Sequence, residues 1–331
     1  ANRRAQQFGQ RYSERYAQDP DWRAAYAYDA AALVVAAFRE AGDDGETAPD
    51  RRGVRDFLAG LTQAERALEG VTGPTYFDAE GNAPKAAAMG VYTNGDIVSA
   101  STQFQLLGDI NETFRVDPSF SMERVVAAGD HYLYRTHVVY TGVRANSYTP
   151  FDVEGLSYGM DFYLWFRYQG DIDVEAIEFL NAVDPIELGS PVEETVEDGT
   201  TYRLYRIQGR FRADYHPAPY GHHTLGLSFK HREQTRLNLI YAIDWTGMRD
   251  WADQNPRDRL KALERLLDPQ QRWSVVRGYF FQDLAHEHTL GHPKFFATQK
   301  RSRDYSRFNI ALEVKKNEFT LRGLLPPDHA G

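Results

Sequence analysis

The sequence contains no cysteine among its 331 residues. Disulfide frameworks, thiolate zinc sites, iron–sulfur clusters and catalytic thiols are therefore all excluded. A long apolar run is missing as well, since the stretch Ala30 to Phe38 is much shorter than the roughly 18 residues that a membrane-spanning helix needs.

Positive charge is also in short supply. The chain has 38 Lys and Arg against 47 Asp and Glu, which gives a net charge of -9. An acidic surface repels the phosphate backbone, so we expect no nucleic-acid partner.

The common catalytic motifs are absent from the sequence. It contains no Gly-x-Ser-x-Gly elbow, no P-loop, no Gly-x-Gly-x-x-Gly and no His-Glu-x-x-His. We therefore expect a protein that is not an enzyme and that carries no cofactor.

The composition changes at about residue 100. The first 100 residues hold 22 alanines and no histidine, whereas the other 231 hold 14 alanines and all ten histidines. In the first part, Trp22, Tyr26, Leu33 and Phe38 recur at helical spacing, a second helix follows from about Asp50, and glycine turns then separate short strands. This part is predicted to be a small α/β segment.

A period of two dominates after about residue 130. Strands with alternating apolar side chains are predicted at 132–143, 201–211, 224–229, 237–243, 273–281, 308–314 and 318–322, and the segment 161–168 is apolar on both faces. A helix is predicted over about 256–267. Seven or more strands without crossover helices favour an antiparallel β-sandwich over a parallel sheet.

The first segment resembles the C-terminal end of a periplasmic solute-binding protein of the branched-chain amino-acid type. Three stretches carry the resemblance: Phe8 with Arg11-Tyr12, Tyr26-Ala-Tyr-Asp-Ala30, and Gly70-Val-Thr-Gly-Pro74 with Phe77-Asp78. Such proteins close two lobes over their ligand, and about 100 residues are too few for that cleft, so no intact solute pocket is expected in residues 1–104.

The last part of the chain resembles the extracellular ligand-binding domain of bacterial pentameric ligand-gated ion channels, the Cys-loop receptor superfamily. Four stretches match in the family's order, namely Val138 to Val143 with Asp161 to Trp165, Ile177 to Asn181, Ile207 to Phe211 with Pro219-Tyr220, and Tyr305 to Ile310 with Leu324 to Pro326. Residues 135–326 are thus expected to form an immunoglobulin-like sandwich, joined to the first segment by a connector at 105–134.

The resemblance implies a site for a small ligand between subunits of a homopentamer. Its expected residues are Glu178, Phe179 and Asn181 in one loop, Lys230, His231 and Arg232 in a second, Phe295, Phe296 and Tyr305 in or beside a third, and Tyr163 on the neighbouring subunit. Pro219 and Tyr220 are expected to couple this site to a pore. Four transmembrane helices would begin at about Pro326-Pro327, in the bacterial inner membrane, with this chain on its periplasmic face.

Three points stay open at the level of the sequence. Basic residues at Lys230 and Arg232 suit a carboxylate or amino-acid-like ligand, although the same run could be a solvated turn and the aromatic residues could be core residues. His286 and His288 are weak candidates for metal ligands, with Glu287 and His292 nearby. The alternatives to a channel are a sensory ectodomain of another membrane receptor or, less favoured, a metal-dependent enzyme on a β-sandwich.

Overall fold

The computed structural model describes residues 3–18, 20–41, 50–62, 67–78, 80–83, 88–93, 96–107, 122–129, 131–214, 220–234, 239–248, 272–291, 293 and 302–317. The chain divides into two compact units, the first dominated by Ala1–Ser99 and the second by Ala100–Phe280 with Leu284–Gly331. Strands outnumber helices, so the protein is mainly β.

The first unit consists of helices followed by hairpins. Its elements are α1 (Arg3–Tyr16), α2 (Trp22–Ala41), α3 (Arg51–Gly60), β1 (Leu68–Gly70), β2 (Gly73–Thr75), β3 (Gly90–Thr93) and β4 (Asp96–Ser99). The strands pair as two antiparallel hairpins, β1 with β2 and β3 with β4. The predicted order of two helices and then short strands is confirmed, and α1 precedes them as a helix that the apolar pattern did not indicate.

A buried carboxylate fastens α2 to the first hairpin. Asp29 is 7% exposed and accepts hydrogen bonds from the backbone N–H groups of Val71 and Thr72, at 2.7 and 2.8 Å, and from the Thr72 hydroxyl at 2.6 Å. Gly70 leaves room for this carboxylate, because a Cβ atom there would lie 2.5 Å from it. Residue 70 must therefore be glycine for the Asp29 carboxylate to fit in this position.

The second unit contains eleven described strands, one short α-helix and a 3-10 turn at Met122–Arg124. The strands and the α-helix are β5 (Thr102–Leu107), β6 (Val125–Ala128), β7 (His131–Tyr148), β8 (Ser157–Gln169), β9 (Ile177–Phe179), β10 (Glu193–Glu197), β11 (Thr200–Arg212), β12 (His222–His231), β13 (Leu239–Ile243), α4 (Trp245–Met248), β14 (Trp273–His288) and β15 (Ser302–Lys316). One sheet has the order β10-β11-β8-β7-β13, with β5 and β6 also paired to β7, and the other has the order β14-β15-β12-β9.

The two sheets pack face to face through aromatic side chains. Phe162 of β8 lies 6.1 Å from Phe179 of β9, and Phe166 of β8 lies 6.4 Å from Phe229 of β12, measured between ring centres. All four rings are buried in one apolar cluster. Alternate residues of these strands therefore form the core of a two-sheet sandwich, as the period of two in β12 predicts.

Two features differ from the expected organisation. β13 pairs with β7 in parallel, Leu239 opposite His137, whereas β5, β6 and β8 pair with β7 in antiparallel fashion. β5 and β6 pair with the first half of β7, so residues 105–107, 125–128 and 131–134 of the expected connector belong to this sheet. The strand predicted at 318–322 and the helix predicted at 256–267 lie outside the described residues.

Around Trp165 the outward face of β8 is covered too, in agreement with the apolar residues on both faces of 161–168. Trp165 alternates along the strand with Leu164 and Phe166 and so lies on its other face, yet it is only 8% exposed. Its indole N–H donates a hydrogen bond of 3.0 Å to Asp244 at the start of α4. Gly142 on β7 makes room for the indole, since a Cβ atom there would lie 2.0 Å from Trp165 Cζ2.

Candidate functional site

The buried ammonium group of Lys230 is the centre of a charged cluster in the second unit. The Lys230 side chain is 2% exposed, and its Nζ atom lies 3.0 Å from Glu178 Oε2 and 2.9 Å from Glu287 Oε1. The same Nζ atom lies 4.5 Å from the centre of the Tyr305 ring. We refer to Glu178, Lys230, Glu287 and Tyr305 as the Lys230 site.

Each strand of the four-stranded sheet supplies one member of the Lys230 site. Lys230 on β12 lies directly opposite Glu178 on β9 in the strand register. Glu287 comes from β14 and Tyr305 from β15. Because Phe229 points into the core and side chains alternate along a strand, Lys230 points to the outer face of the sheet.

The two carboxylates are the solvent-facing part of the Lys230 site. The Glu178 side chain is 51% exposed and that of Glu287 is 35% exposed, whereas Tyr305 is fully buried. An ammonium group has three donors and no acceptor. With two carboxylates and the face of a ring around it, the Lys230 ammonium is screened from an approaching ligand by its own partners.

Arg232 does not join the Lys230 site. Its guanidinium forms an ion pair of 2.7 Å with Glu187, and the two side chains are 40% and 74% exposed. An ion pair of this kind contributes little to stability. Since Lys230 and Arg232 are each paired with carboxylates, their arrangement argues against the expected preference for a bare carboxylate ligand.

His231 points into the protein. It is 2% exposed, and its Nδ1 atom accepts hydrogen bonds from the backbone N–H groups of Glu233 and Gln234, at 3.1 and 3.0 Å. Burial lowers the pKa of His231, although the nearby Asp173 opposes this effect. The prediction of a ligand contact is therefore revised for His231, which shapes the turn after β12.

Phe179 and Asn181 are also interior residues. The Phe179 ring contacts Phe162, Phe211 and Phe229. The Asn181 amide is 2% exposed; it donates to the Gly226 carbonyl at 2.9 Å and accepts from the Ser228 N–H at 2.9 Å. The prediction is revised for both residues, because neither has a surface that a ligand could contact.

Tyr163 lies on the outer face of the other sheet. In the strand register it stands opposite Arg144 on β7 and Arg206 on β11. Arg206 is held by Asp161 at 2.9 Å, and the hydrogen bonds to this carboxylate, first of all that from Arg206, hold the pKa of Asp161 well below its usual range. Within one copy of the chain, Tyr163 and Lys230 point away from each other on opposite faces of the sandwich.

Three of the expected ligand and coupling residues lie outside the described residues, namely Phe295, Phe296 and Pro219. Tyr220 is fully exposed in the turn before β12.

His286 and His288 lie near the end of β14, and both are exposed. The Nδ1 atom of His288 accepts a hydrogen bond of 3.1 Å from the backbone N–H of Leu290. Within the part of the chain that the structure describes, no group of three His, Asp or Glu side chains could hold a metal ion. His292 lies outside that part.

Glu287 is the member of the Lys230 site that the ligand-site prediction missed. The sequence offers one signal for it, the alternation of His286, Glu287 and His288 along a strand. Alternation places Glu287 on the face opposite to the two histidines. The contact between Glu287 and Lys230 depends on the order of the strands in the sheet. The alternation along a single strand does not predict that order.

The comparisons with known proteins give no further guide to the family. No protein-family model matches the chain, and no curated protein sequence matches it. Among the described helices, none is long and apolar enough to cross a membrane.

Proposed function

We propose that the chain is the ligand-sensing, periplasm-facing ectodomain of a bacterial pentameric ligand-gated ion channel homologue, and that its ligand binds at the Lys230 site. The observation that carries the proposal is the meeting of Glu178, Lys230 and Tyr305. These residues come from three separate segments that resemble the ligand loops of that family. One segment supplies the ammonium group of Lys230, and a side chain from each of the other two contacts it.

A site between subunits would complete the arrangement. Tyr163 lies on the opposite face of the sandwich from Lys230, so a second copy of the chain is needed to bring the two faces together. A ring of five copies satisfies this requirement, since each copy then offers one face to each neighbour. Ligand contact with Glu287 and Tyr305 would favour one arrangement of β14 and β15. The segments around 146–157 and 217–223 would transmit this conformational preference to the pore.

The ligand class follows from the exposed groups of the site. A molecule that approaches from solvent meets the Glu178 and Glu287 carboxylates before it meets the Lys230 ammonium. A ligand with an ammonium group, including an amino-acid-like zwitterion, is therefore favoured over a bare carboxylate. This revises the ligand expected from Lys230 and Arg232 alone.

The first unit is proposed to adopt a fold akin to the C-terminal end of a branched-chain amino-acid solute-binding protein. Its order of helices and hairpins and the buried Asp29 contact support this assignment. No ligand is assigned to this unit.

The proposal is tested with three small molecules of similar size: propylammonium as cation, glycine as zwitterion and propionate as anion. The full gene product that carries this domain is reconstituted in liposomes, and currents are recorded as each is added. Currents evoked by the cation or the zwitterion, and weakened at least tenfold in sensitivity by Glu287→Gln, support the proposal. The matched control is Glu187→Gln, which alters an exposed glutamate outside the Lys230 site and should leave the sensitivity unchanged.

A sensory ectodomain of another membrane receptor remains the second candidate, because the same site would serve it. A gene product with a single apolar span of about 20 residues and a cytoplasmic catalytic domain favours this receptor, whereas four such spans after Pro326 favour the channel. Nothing in the described residues favours the metal-dependent enzyme.

A further inference from the structure

The surroundings of the Lys230 ammonium are similar to those of a free amine bound to a protein. Amine-binding sites surround a cation with the face of an aromatic ring and with carboxylates, and they exclude water. Lys230 has this environment within its own chain: a ring centre at 4.5 Å and two carboxylate oxygens at 2.9 and 3.0 Å. The cation of the site is thus supplied by the protein.

We propose that Lys230 is a tethered occupant of a cation cage formed by Tyr305, Glu178 and Glu287, and that a free primary ammonium can take its place. The proposal deepens the proposed function, since it concerns the same site and names primary ammonium compounds as its ligands. While Lys230 fills the cage, a free amine must compete with a cation that is attached to the chain. The resting protein is therefore held in an inhibited state, and its apparent affinity for amines is lowered by the small fraction of open cages.

The burial pattern supports an exchangeable occupant. The carboxylates are 51% and 35% exposed while the Lys230 side chain is 2% exposed, so the wall of the cage is open to solvent although its occupant is not. Tyr305 is fully buried, and the register pairs of β15 with β12 fix the strand that carries it. A buried ring and two accessible carboxylates give an incoming ammonium the same partners that hold Lys230.

The direct test is chemical rescue of Lys230→Ala by propylammonium. This variant deletes three methylene groups and the ammonium from the side chain, and propylammonium supplies the same atoms as a free molecule. We expect folded Lys230→Ala to bind propylammonium at least tenfold more tightly than the unaltered chain in calorimetric titration, and to regain part of its lost thermal stability in a saturable manner. The neutral analogue 1-propanol should do neither.

Two variants separate the cage from a simple cavity. Lys230→Met keeps an unbranched apolar stem in the cage and should bind propylammonium no better than the unaltered chain. Glu287→Gln, combined with Lys230→Ala, removes one wall and should weaken the new site at least tenfold. Equal rescue by 1-propanol, or binding by folded Lys230→Ala that is no tighter than that of the unaltered chain, would overturn the proposal.

Where Lys230→Ala does not fold unaided, its refolding yield becomes the readout. The proposal requires propylammonium to restore folding and 1-propanol to fail; equal yields in the two solutions contradict it. Failure of this test is distinguishable from failure of the proposed function. In the first case the unaltered chain still binds the cation or the zwitterion through Glu287, and in the second it binds neither.

Discussion

Trp165 and Asp244 are joined by a hydrogen bond of 3.0 Å from the indole N–H to a carboxylate that is 3% exposed. The other Asp244 oxygen accepts from Arg167 at 2.9 Å and from the Gly247 N–H at 3.1 Å. This one carboxylate therefore attaches α4 to the outer face of the seven-stranded sheet.

Replacing Asp244 by alanine should destabilise the second unit. The change leaves the Trp165 N–H and the Gly247 N–H without their acceptor and the Arg167 guanidinium without its partner. Because Arg167 is 39% exposed and can turn to water, we expect a loss of about 2–3 kcal/mol rather than the larger cost of a fully buried pair. Urea unfolding measures this loss, and Arg232→Ala, at an exposed ion pair, should change stability by less than about 0.5 kcal/mol.

Gly142→Ala tests the contact between β7 and the same indole. A Cβ atom at residue 142 would lie 2.0 Å from Trp165 Cζ2, so we expect the crowding to cost about 1–3 kcal/mol. Trp165→Phe removes the part of the ring that would clash. The double variant should therefore cost less than the sum of the two single variants, and strictly additive losses would contradict a contact between these residues.

Asp29→Ala should open the first hairpin. It removes the acceptor of three hydrogen bonds, among them that of the buried Val71 N–H, for which we expect a loss of about 2–3 kcal/mol. Hydrogen exchange reports the change locally, because the Val71 and Thr72 amides should lose protection. Asp56→Ala is the matched control, since Asp56 is exposed and pairs with its exposed neighbour Arg55; equal effects of the two variants would refute the role of Asp29.

His231 predicts a pH dependence of stability. Burial lowers its pKa in the folded protein, whereas in the unfolded chain an imidazole titrates near about 6.5. Below that pH the imidazole binds more protons in the unfolded chain than in the folded protein. The stabilising contribution of His231 is therefore fully present above about pH 6.5 and is lost as the pH falls towards the lowered pKa. His137, whose pKa is also lowered by burial, acts in the same direction.

The contribution of His231 can be isolated with His231→Asn. The asparagine oxygen can still accept from the backbone N–H groups of Glu233 and Gln234, but it does not titrate. Unfolding in urea at pH 7.5 and pH 5.0 should show a smaller loss of stability for the variant than for the unaltered chain. An identical loss would mean that His231 is equally protonated in both states.

Most of the longer strands of the sandwich could be predicted because their apolar residues alternate. Phe229, Leu227 and Leu225 give one face of β12 without reference to any other strand. β9 could not be predicted as a strand, since its three residues, Ile177–Phe179, are too few to show a period. The parallel pairing of β13 with β7 depends on a crossover between sheets, which leaves no local signal.

The candidate site was predictable only in part for the same physical reason. The segment 230–232 was identified as a whole, yet the alternation beyond Phe229 already separates Lys230, on the outer face, from His231, on the inner face. Asn181 reads as polar in the sequence, but its amide satisfies backbone groups in the interior. Glu287 meets Lys230 through the order of four strands, which no local pattern encodes.

The central claim is that the Glu178 and Glu287 carboxylates of the Lys230 site bind the ammonium group of a ligand. Calorimetric titration of propylammonium, glycine and propionate into the chain, with and without Glu287→Gln, tests it most directly. We expect the cation or the zwitterion to bind, the anion to give no saturable heat, and Glu287→Gln to weaken the binding at least tenfold. Saturable binding of propionate that is lost in Arg232→Ala and unchanged in Glu287→Gln would contradict the claim.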